Sequence, residues 1–320
     1  MLILSHDDVR AALPPEECAE AMAEVLAAHA RGEALMPLRS MVPFDGAAGF
    51  MGLMPAWQGG SEPVFALKSL CVMPGNPAVG LDSHQGTVTL FDGSTGVPRA
   101  ILDASAITAL RTAAVSAVAT RVLAREDARV LAILGAGVQG SAHLDALLPV
   151  REFDEVRVFA PNASHARAVA DGRATVAASA EETVRGADVV VTATTSREPV
   201  IRREWLVPGA HINAVGASVP SARELDTATV VHSALFCDSR ESLQAEAGEY
   251  RLALEQGAIA GEGHIRGSLG EVLAGMAPGR TDADELTVFR SLGLAVEDMA
   301  AAERAVARAR TQGIGVEVEL

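Results

Sequence analysis

The sequence predicts an α/β protein of two domains: a parallel sheet covered by helices in mid-chain, and an α+β domain built from the two ends. Three observations carry this. The chain has 320 residues, about two domains at roughly 150 residues each. Between residues 130 and 215, short runs that are apolar at every position alternate with helical patterns, as in a sheet buried on both faces. Residues 36–100 instead carry Pro, Gly and short β-like runs, with turn signals at Asp92-Gly93 and Thr95-Gly96.

The elements follow in order. Pro14-Pro15 opens a helix running to about Arg31, with Cys18, Met22, Val25, Leu26 and His29 on one stripe and Gly32 as its stop. Val64–Val72, Thr87–Phe91 and Pro98–Leu102 read as strands of a mostly antiparallel sheet. Ser105–Arg125 is an Ala-rich helix with Ile107, Leu110, Ala114, Val118 and Val122 along one side. Val130–Leu134 is a fully apolar strand, followed by a Gly-rich turn and a helix to about Leu148. Strands at Glu155–Ala160, Ala174–Ala177, Asp188–Ala193 and His211–Val215 alternate with helices at Ser164–Ala170 and Glu181–Arg185. A long Ala-rich helix, roughly Leu294–Arg310, closes the chain and is expected to pack back on the first one. The expected division is therefore discontinuous: 1–117 with 298–320, and 118–297.

Composition excludes several classes of function. With 49% apolar and 21% charged residues, the chain is too apolar for disorder. A net charge of −15 repels phosphate backbones and anionic lipid, which argues against nucleic-acid and membrane partners. No stretch is expected to match a membrane span, and Met1–Leu4 is too short for a secretory signal. Cys18, Cys71 and Cys237 are far apart and odd in number, so they read as buried hydrophobes of a cytoplasmic protein, with no metal spacing.

The sharpest motif is Gly135-Ala-Gly137-Val-Gln-Gly140, directly after the strand Val130–Leu134 and at the start of a helix. In that setting Gly135 makes the tight turn, Gly137 lets the backbone approach a pyrophosphate, and Gly140 lets helix and strand pack closely. The helix N-terminus adds free N–H groups for the phosphates. This is the fingerprint of a Rossmann-type domain holding NAD(P)H. The usual acid at the end of the second strand is missing: that strand ends in Pro161-Asn162, and Asp154 and Glu155 stand at its start. Asn162, Ser164, His165 and Arg167 are the polar groups nearby, and the choice between NADH and NADPH stays open.

Lys68 lies on the same strand face as Ala66, Leu70 and Val72. It is either a snorkelling edge-strand lysine or one that faces a carboxylate or an anionic ligand. Arg39 and Arg111 are single cations in apolar contexts, Asp226 has the placement of a helix cap, and His84 reads as a hydrogen-bonded loop residue.

Together these stretches resemble the ornithine cyclodeaminase/mu-crystallin family. Ser83–Asp92, Ile107–Ala117, Ile133–Gln139, Gly209–Ala217 with Arg223–Asp226, Ser268–Val272 and Thr287–Asp298 carry the likeness, which spans essentially the whole chain. The resemblance implies a homodimer formed through the N-terminal domain and the C-terminal helix. It implies that Arg39, Lys68 and Arg111 hold a substrate carboxylate, that Lys68 and Asp226 are catalytic, and that Asp226 exchanges a proton with the substrate nitrogen. Ser83, Arg111 and Thr112 would face the cofactor, which Gly135, Gly137, Val138, Gln139, Gly140, Asn162, Thr194, Val215 and Gly216 would line, with Ser291 and Leu292 near the nicotinamide.

The implied activity is an NAD(P)H-dependent reductase of small cyclic ketimine carboxylates, such as Δ1-pyrroline-2-carboxylate giving L-proline. The alternatives are an ornithine cyclodeaminase, an alanine-type amino-acid dehydrogenase and a non-catalytic ligand-binding protein. Position 52, where the cyclodeaminases carry a Glu that binds the substrate's amino group, is glycine here, and Pro161 stands where mu-crystallin-like members carry an Arg for the NADPH phosphate.

Overall fold

The computed structural model describes residues 1–319, Pro77 by its backbone only. They form two compact units: Met1–Arg111 together with the chain from Gly293 onward, and Thr112–Leu292.

The first unit holds an eight-stranded sheet in the order Val316–Glu317, Leu2–Leu4, Pro98–Asp103, His84–Asp92, Val64–Val72, Phe50–Gln58, Ala34–Leu35, with Ser40–Pro43 also paired to Phe50–Gln58. All pairs are antiparallel except Leu2–Leu4 with Pro98–Asp103. The strands Leu2–Leu4 and Phe50–Gln58 were not distinguished in the sequence. The first is three residues long, and the second breaks its alternation with Gly52 and Pro55. One face of the sheet buries Ala56, Ala66, Leu70, Val88, Leu90 and Leu102. The helices Pro15–Ala30 and Ala295–Gln312 pack against each other, the second also covering this face. Cys18, Met22, Val25 and Leu26 are buried as their spacing requires, each worth roughly 1.5–3 kcal/mol for a large apolar chain. Arg304 joins the two helices through Glu17 and Glu24.

The second unit is an eight-stranded, wholly parallel sheet: Thr175–Val176, Glu155–Phe159, Val130–Leu134, Val189–Thr192, His211–Ala214, Thr287–Arg290, Ala234–Cys237, Ile265–Ser268. The strand order reverses between Val130–Leu134 and Val189–Thr192, the switch point where dinucleotides bind such sheets. Hydrophobic layers cover both faces, one around Ile212, Val288 and Leu235, the other around Ile133, Val191 and Leu147. The last three strands lie beyond the stretch of strand–helix alternation, residues 130–215, that made the others legible.

Two expectations are corrected. Ala104–Leu123 is long and apolar enough to cross a membrane, although no such stretch was anticipated; 78% of its apolar window is buried inside the protein, as in a core helix. Cys18 and Cys237 are buried, but Cys71 is only half-buried, because it points to the outer face of the antiparallel sheet.

Candidate functional site

In the first unit, Lys68 sits on a central strand, between Met54 and Val88, and is 2% exposed. A central strand leaves no edge to snorkel from. Its ammonium donates to Asp298 Oδ1 at 2.9 Å and to Thr108 Oγ1 at 2.6 Å, so the paired reading holds. Arg111 donates through Nε to the same Asp298 oxygen at 3.0 Å and through Nη1 to Glu297 Oε2 at 3.0 Å. Both acids lie in the first turn of Ala295–Gln312, and Glu297 also accepts from Leu294 N, closing the helix start. Gly293 is required here: a Cβ would lie 2.5 Å from the Arg111 guanidinium, and φ is +85°.

This cluster is electrically closed, two cations on two carboxylates. Burial pushes the Lys68 ammonium down to about 8, with Asp298 holding it up and Arg111 pressing it lower. His84 lies within the field of Lys68, Arg111 and Arg39; desolvation first, then these cations, hold its pKa below the usual value. Ser83 Oγ lies 3.0 Å from His84 Nδ1. Arg39, half-buried before the strand Ser40–Pro43, is one of these cations, and the Asp82 carboxylate acts against them, raising the His84 pKa.

In the second unit, the glycine turn has the expected geometry. Gly135 has φ +115°, and a Cβ would lie 2.3 Å from Ala193 O. A Cβ on Gly140 would lie 2.2 Å from Gly135 O, so the helix start is pressed onto the turn. Above Gly137 there is open space within 4 Å, and this residue begins the helix Val138–Leu147 with no side-chain cap. The first-turn N–H groups are therefore not answered by a cap, which suits a pyrophosphate. Val138 is exposed, and Gln139 O accepts from buried His143. Asn162 caps the helix Ala163–Ala170, its Oδ1 accepting from Ser164 N and Oγ.

Thr194 and Gly216 are brought together by a residue the sequence reading passed over. Glu224, fully buried, accepts from Thr194 N and Oγ1 on one oxygen, and from Thr192 Oγ1 and Gly216 N on the other. Val215 N donates to Thr192 O in the same loop. Nearby, Leu292 N donates to Asp238 Oδ2, and buried Arg290 donates to Ala214 O and Ser291 O while pairing with Glu249. Ser291 Oγ is buried and has no hydrogen-bond partner among the described residues. Thr112 is buried on the helix Ala104–Leu123.

Asp226 caps the short helix Thr227–Val231: Oδ1 accepts from Thr229 N at 2.8 Å and Oδ2 from Arg203 N at 3.3 Å. The capping role open to it in the sequence is the one its side chain fills in this structure.

Comparison with known proteins gives these arrangements a family. The profile of the ornithine cyclodeaminase/mu-crystallin family matches residues 1–313. Ketimine reductase mu-crystallin of Mus musculus is 42% identical over 275 residues, covering 85% of this chain and 84% of the relative. Among solved structures, Δ1-pyrroline-2-carboxylate reductase of Thermococcus litoralis, in complex with NADH and L-proline, superposes with a TM-score of 0.94 at 36% identity, over 99% of this chain and 100% of the other. An archaeal alanine dehydrogenase dimer with bound NAD gives 0.93 at 33% identity, over 100% of this chain and 99% of the other. With a whole-chain profile match and a relative of that identity and coverage, this chain belongs to the ornithine cyclodeaminase/mu-crystallin family.

Proposed function

We propose that the protein is an NAD(P)H-dependent reductase of small cyclic ketimine carboxylates, with Δ1-pyrroline-2-carboxylate to L-proline as the type reaction. The carrying observation is the buried Lys68–Asp298–Arg111–Glu297 cluster, which fixes two cations side by side in the first unit. Two of the relatives named above, a ketimine reductase and a Δ1-pyrroline-2-carboxylate reductase in complex with NADH and L-proline, support the same reading.

When bound, the reduced nicotinamide supplies hydride to the carbon of the C=N bond. Arg39, Lys68 and Arg111 hold the substrate carboxylate and so fix which face is presented, a positional effect worth several kcal/mol of barrier. Asp226 exchanges the proton at the substrate nitrogen, so one C–H and one N–H bond replace the C=N π bond. The turn Gly135–Gly140 with the helix start at Val138 holds the pyrophosphate, and the loops at Thr194, Val215-Gly216 and Ser291-Leu292 line the remainder.

A homodimer through the antiparallel sheet belongs to this reading. The outer face presents Phe65, 47% exposed, between Trp57 and Phe91, with Pro55 and Leu67 beside them. Apolar residues on neighbouring strands form a continuous patch of the kind that associates. The archaeal relative is described as a dimer. A cytoplasmic location fits the three free cysteines.

The decisive assay follows reduced-nicotinamide absorbance, with NADH and NADPH separately, against pyrroline- and piperideine-2-carboxylates, with ammonia release from L-ornithine in parallel. Net cofactor consumption with the imines is expected. Ammonia and proline from ornithine, without net cofactor change, would replace the reductase by a cyclodeaminase. Lys68→Met and Asp226→Asn should cripple turnover while NAD(P)H still binds; unchanged rates would remove the roles given to them.

A further inference from the structure

We propose that Glu224 is the positioning residue that shapes the nicotinamide side of the dinucleotide crevice. This rests on the reading of a nicotinamide cofactor given above and concerns a residue outside the binding set.

Glu224 is fully buried, and among the described residues no Lys or Arg pairs with it. A buried carboxylate without a cation is costly unless its lone pairs are filled by donors. Here four uncharged donors fill them: Thr194 N at 2.7 Å and Thr194 Oγ1 at 2.7 Å on Oε1, Gly216 N at 2.7 Å and Thr192 Oγ1 at 2.9 Å on Oε2. Its backbone is fixed as well, the carbonyl accepting from Val200 N and Ile201 N. The clamped loops follow directly on the strands Val189–Thr192 and His211–Ala214. They meet so closely that a Cβ on Gly216 would lie 2.1 Å from Thr194 O and 2.6 Å from Glu224 Oε1.

The topology says which part of the ligand these loops serve. The glycine turn and the strand Glu155–Phe159 lie on one side of the switch point and form the half that binds the adenosine and its phosphates. Val189–Thr192 and His211–Ala214 lie on the other side, in the half that receives the second nucleotide. Glu224 ties together two strand ends of that second half.

Charge, and not only shape, is needed at this position. Each carboxylate oxygen receives one backbone N–H, from Thr194 or from Gly216. In a glutamine, either orientation of the amide points NH2 at one of those N–H groups, leaving two donors face to face. One loop must then move, and only the nicotinamide side should feel it.

The test is calorimetric titration of the full-length protein with NADH and, separately, with ADP-ribose. Glu224→Gln should weaken NADH about tenfold and leave ADP-ribose within about twofold, a lost buried hydrogen bond being of that size. Thr192→Val removes one donor to Oε2 from a side chain that is wholly buried and cannot touch a ligand; it should weaken NADH about threefold, again sparing ADP-ribose. Equal weakening of both ligands, or of neither, overturns the proposal, and Thr192→Val decides alone if Glu224→Gln does not fold. A wild-type protein that binds no NADH would sink the cofactor reading itself, a different result from a variant that binds as the wild type does.

Discussion

Two buried carboxylate sites, one in each unit, serve opposite purposes. In the first, Glu297 and Asp298 meet Arg111 and Lys68, and charge answers charge. In the second, Glu224 meets, among the described residues, backbone N–H groups and threonine hydroxyls. A cation that must attract an anionic substrate and still lie under a helix needs a permanent counterion, or burial would strip its proton. A loop that must hold a shape for a ligand needs an acceptor that several donors share. The difference shows up in what each arrangement tolerates: losing one partner leaves a bare charge in the first unit and a displaced loop in the second.

The largest effect expected from breaking this contrast is at Arg111. Arg111→Met leaves Glu297 and Asp298 buried with one cation between them, and removing one side of a buried pair costs about 3–5 kcal/mol. Urea unfolding measures it. A loss below about 1 kcal/mol would mean that the acids are not dependent on Arg111. On the cofactor side, Gly140→Ala sets a Cβ 2.2 Å from Gly135 O, and overpacking of that kind costs about 1–3 kcal/mol by the same measurement.

How legible each region was in the sequence follows from the same chemistry. The glycine turn could be read residue by residue, since each glycine answers a backbone demand made within six residues of chain. The Glu297-Asp298 pair could not: two acids in the first turn of an Ala-rich helix look like ordinary dipole partners. Their cations lie 187 and 230 residues away. Alternation placed Lys68 on the apolar face of its strand but left open whether it snorkels from an edge or faces a partner, and nothing local named Asp298. Glu224 stood two residues from Asp226 in a matched motif, yet its neighbours Thr192, Thr194 and Gly216 come from loops that only the parallel register brings together. The strands Ala234–Cys237, Ile265–Ser268 and Thr287–Arg290 lie beyond the strand–helix alternation that made the others legible, so the far edge of the parallel sheet went unread.

The middle-sized effect is a pH shift. With Lys68 pushed down to about 8, kcat/KM for the imine should fall above that pH as the ammonium loses its proton and its hold on the carboxylate. The stability term runs the other way: from about 8 up to the ordinary 10.5 the unfolded chain keeps a proton the native one has released, so this residue's contribution to stability rises with pH. Asp298 holds the Lys68 pKa up, so Asp298→Asn should move the alkaline limb of kcat/KM to lower pH. A limb that stays in place, or moves up, would show that Lys68 does not set it.

The smallest change to the fold is expected at Gly137, and it separates the demands of folding from those of the ligand. Gly135 and Gly140 face backbone atoms of their own unit, so a side chain there strains the protein whether or not anything is bound. Gly137 faces open space, and its φ of −95° and ψ of −165° suit any residue. Gly137→Ala should therefore change stability by less than about 1 kcal/mol, the scale of an altered N-cap. If a pyrophosphate sits against this backbone, the added methyl occupies its place, and NADH affinity should fall about tenfold while the unfolding midpoint barely moves. Unchanged NADH affinity would mean that the phosphates do not approach Gly137, and the turn would then be there for helix and strand packing alone.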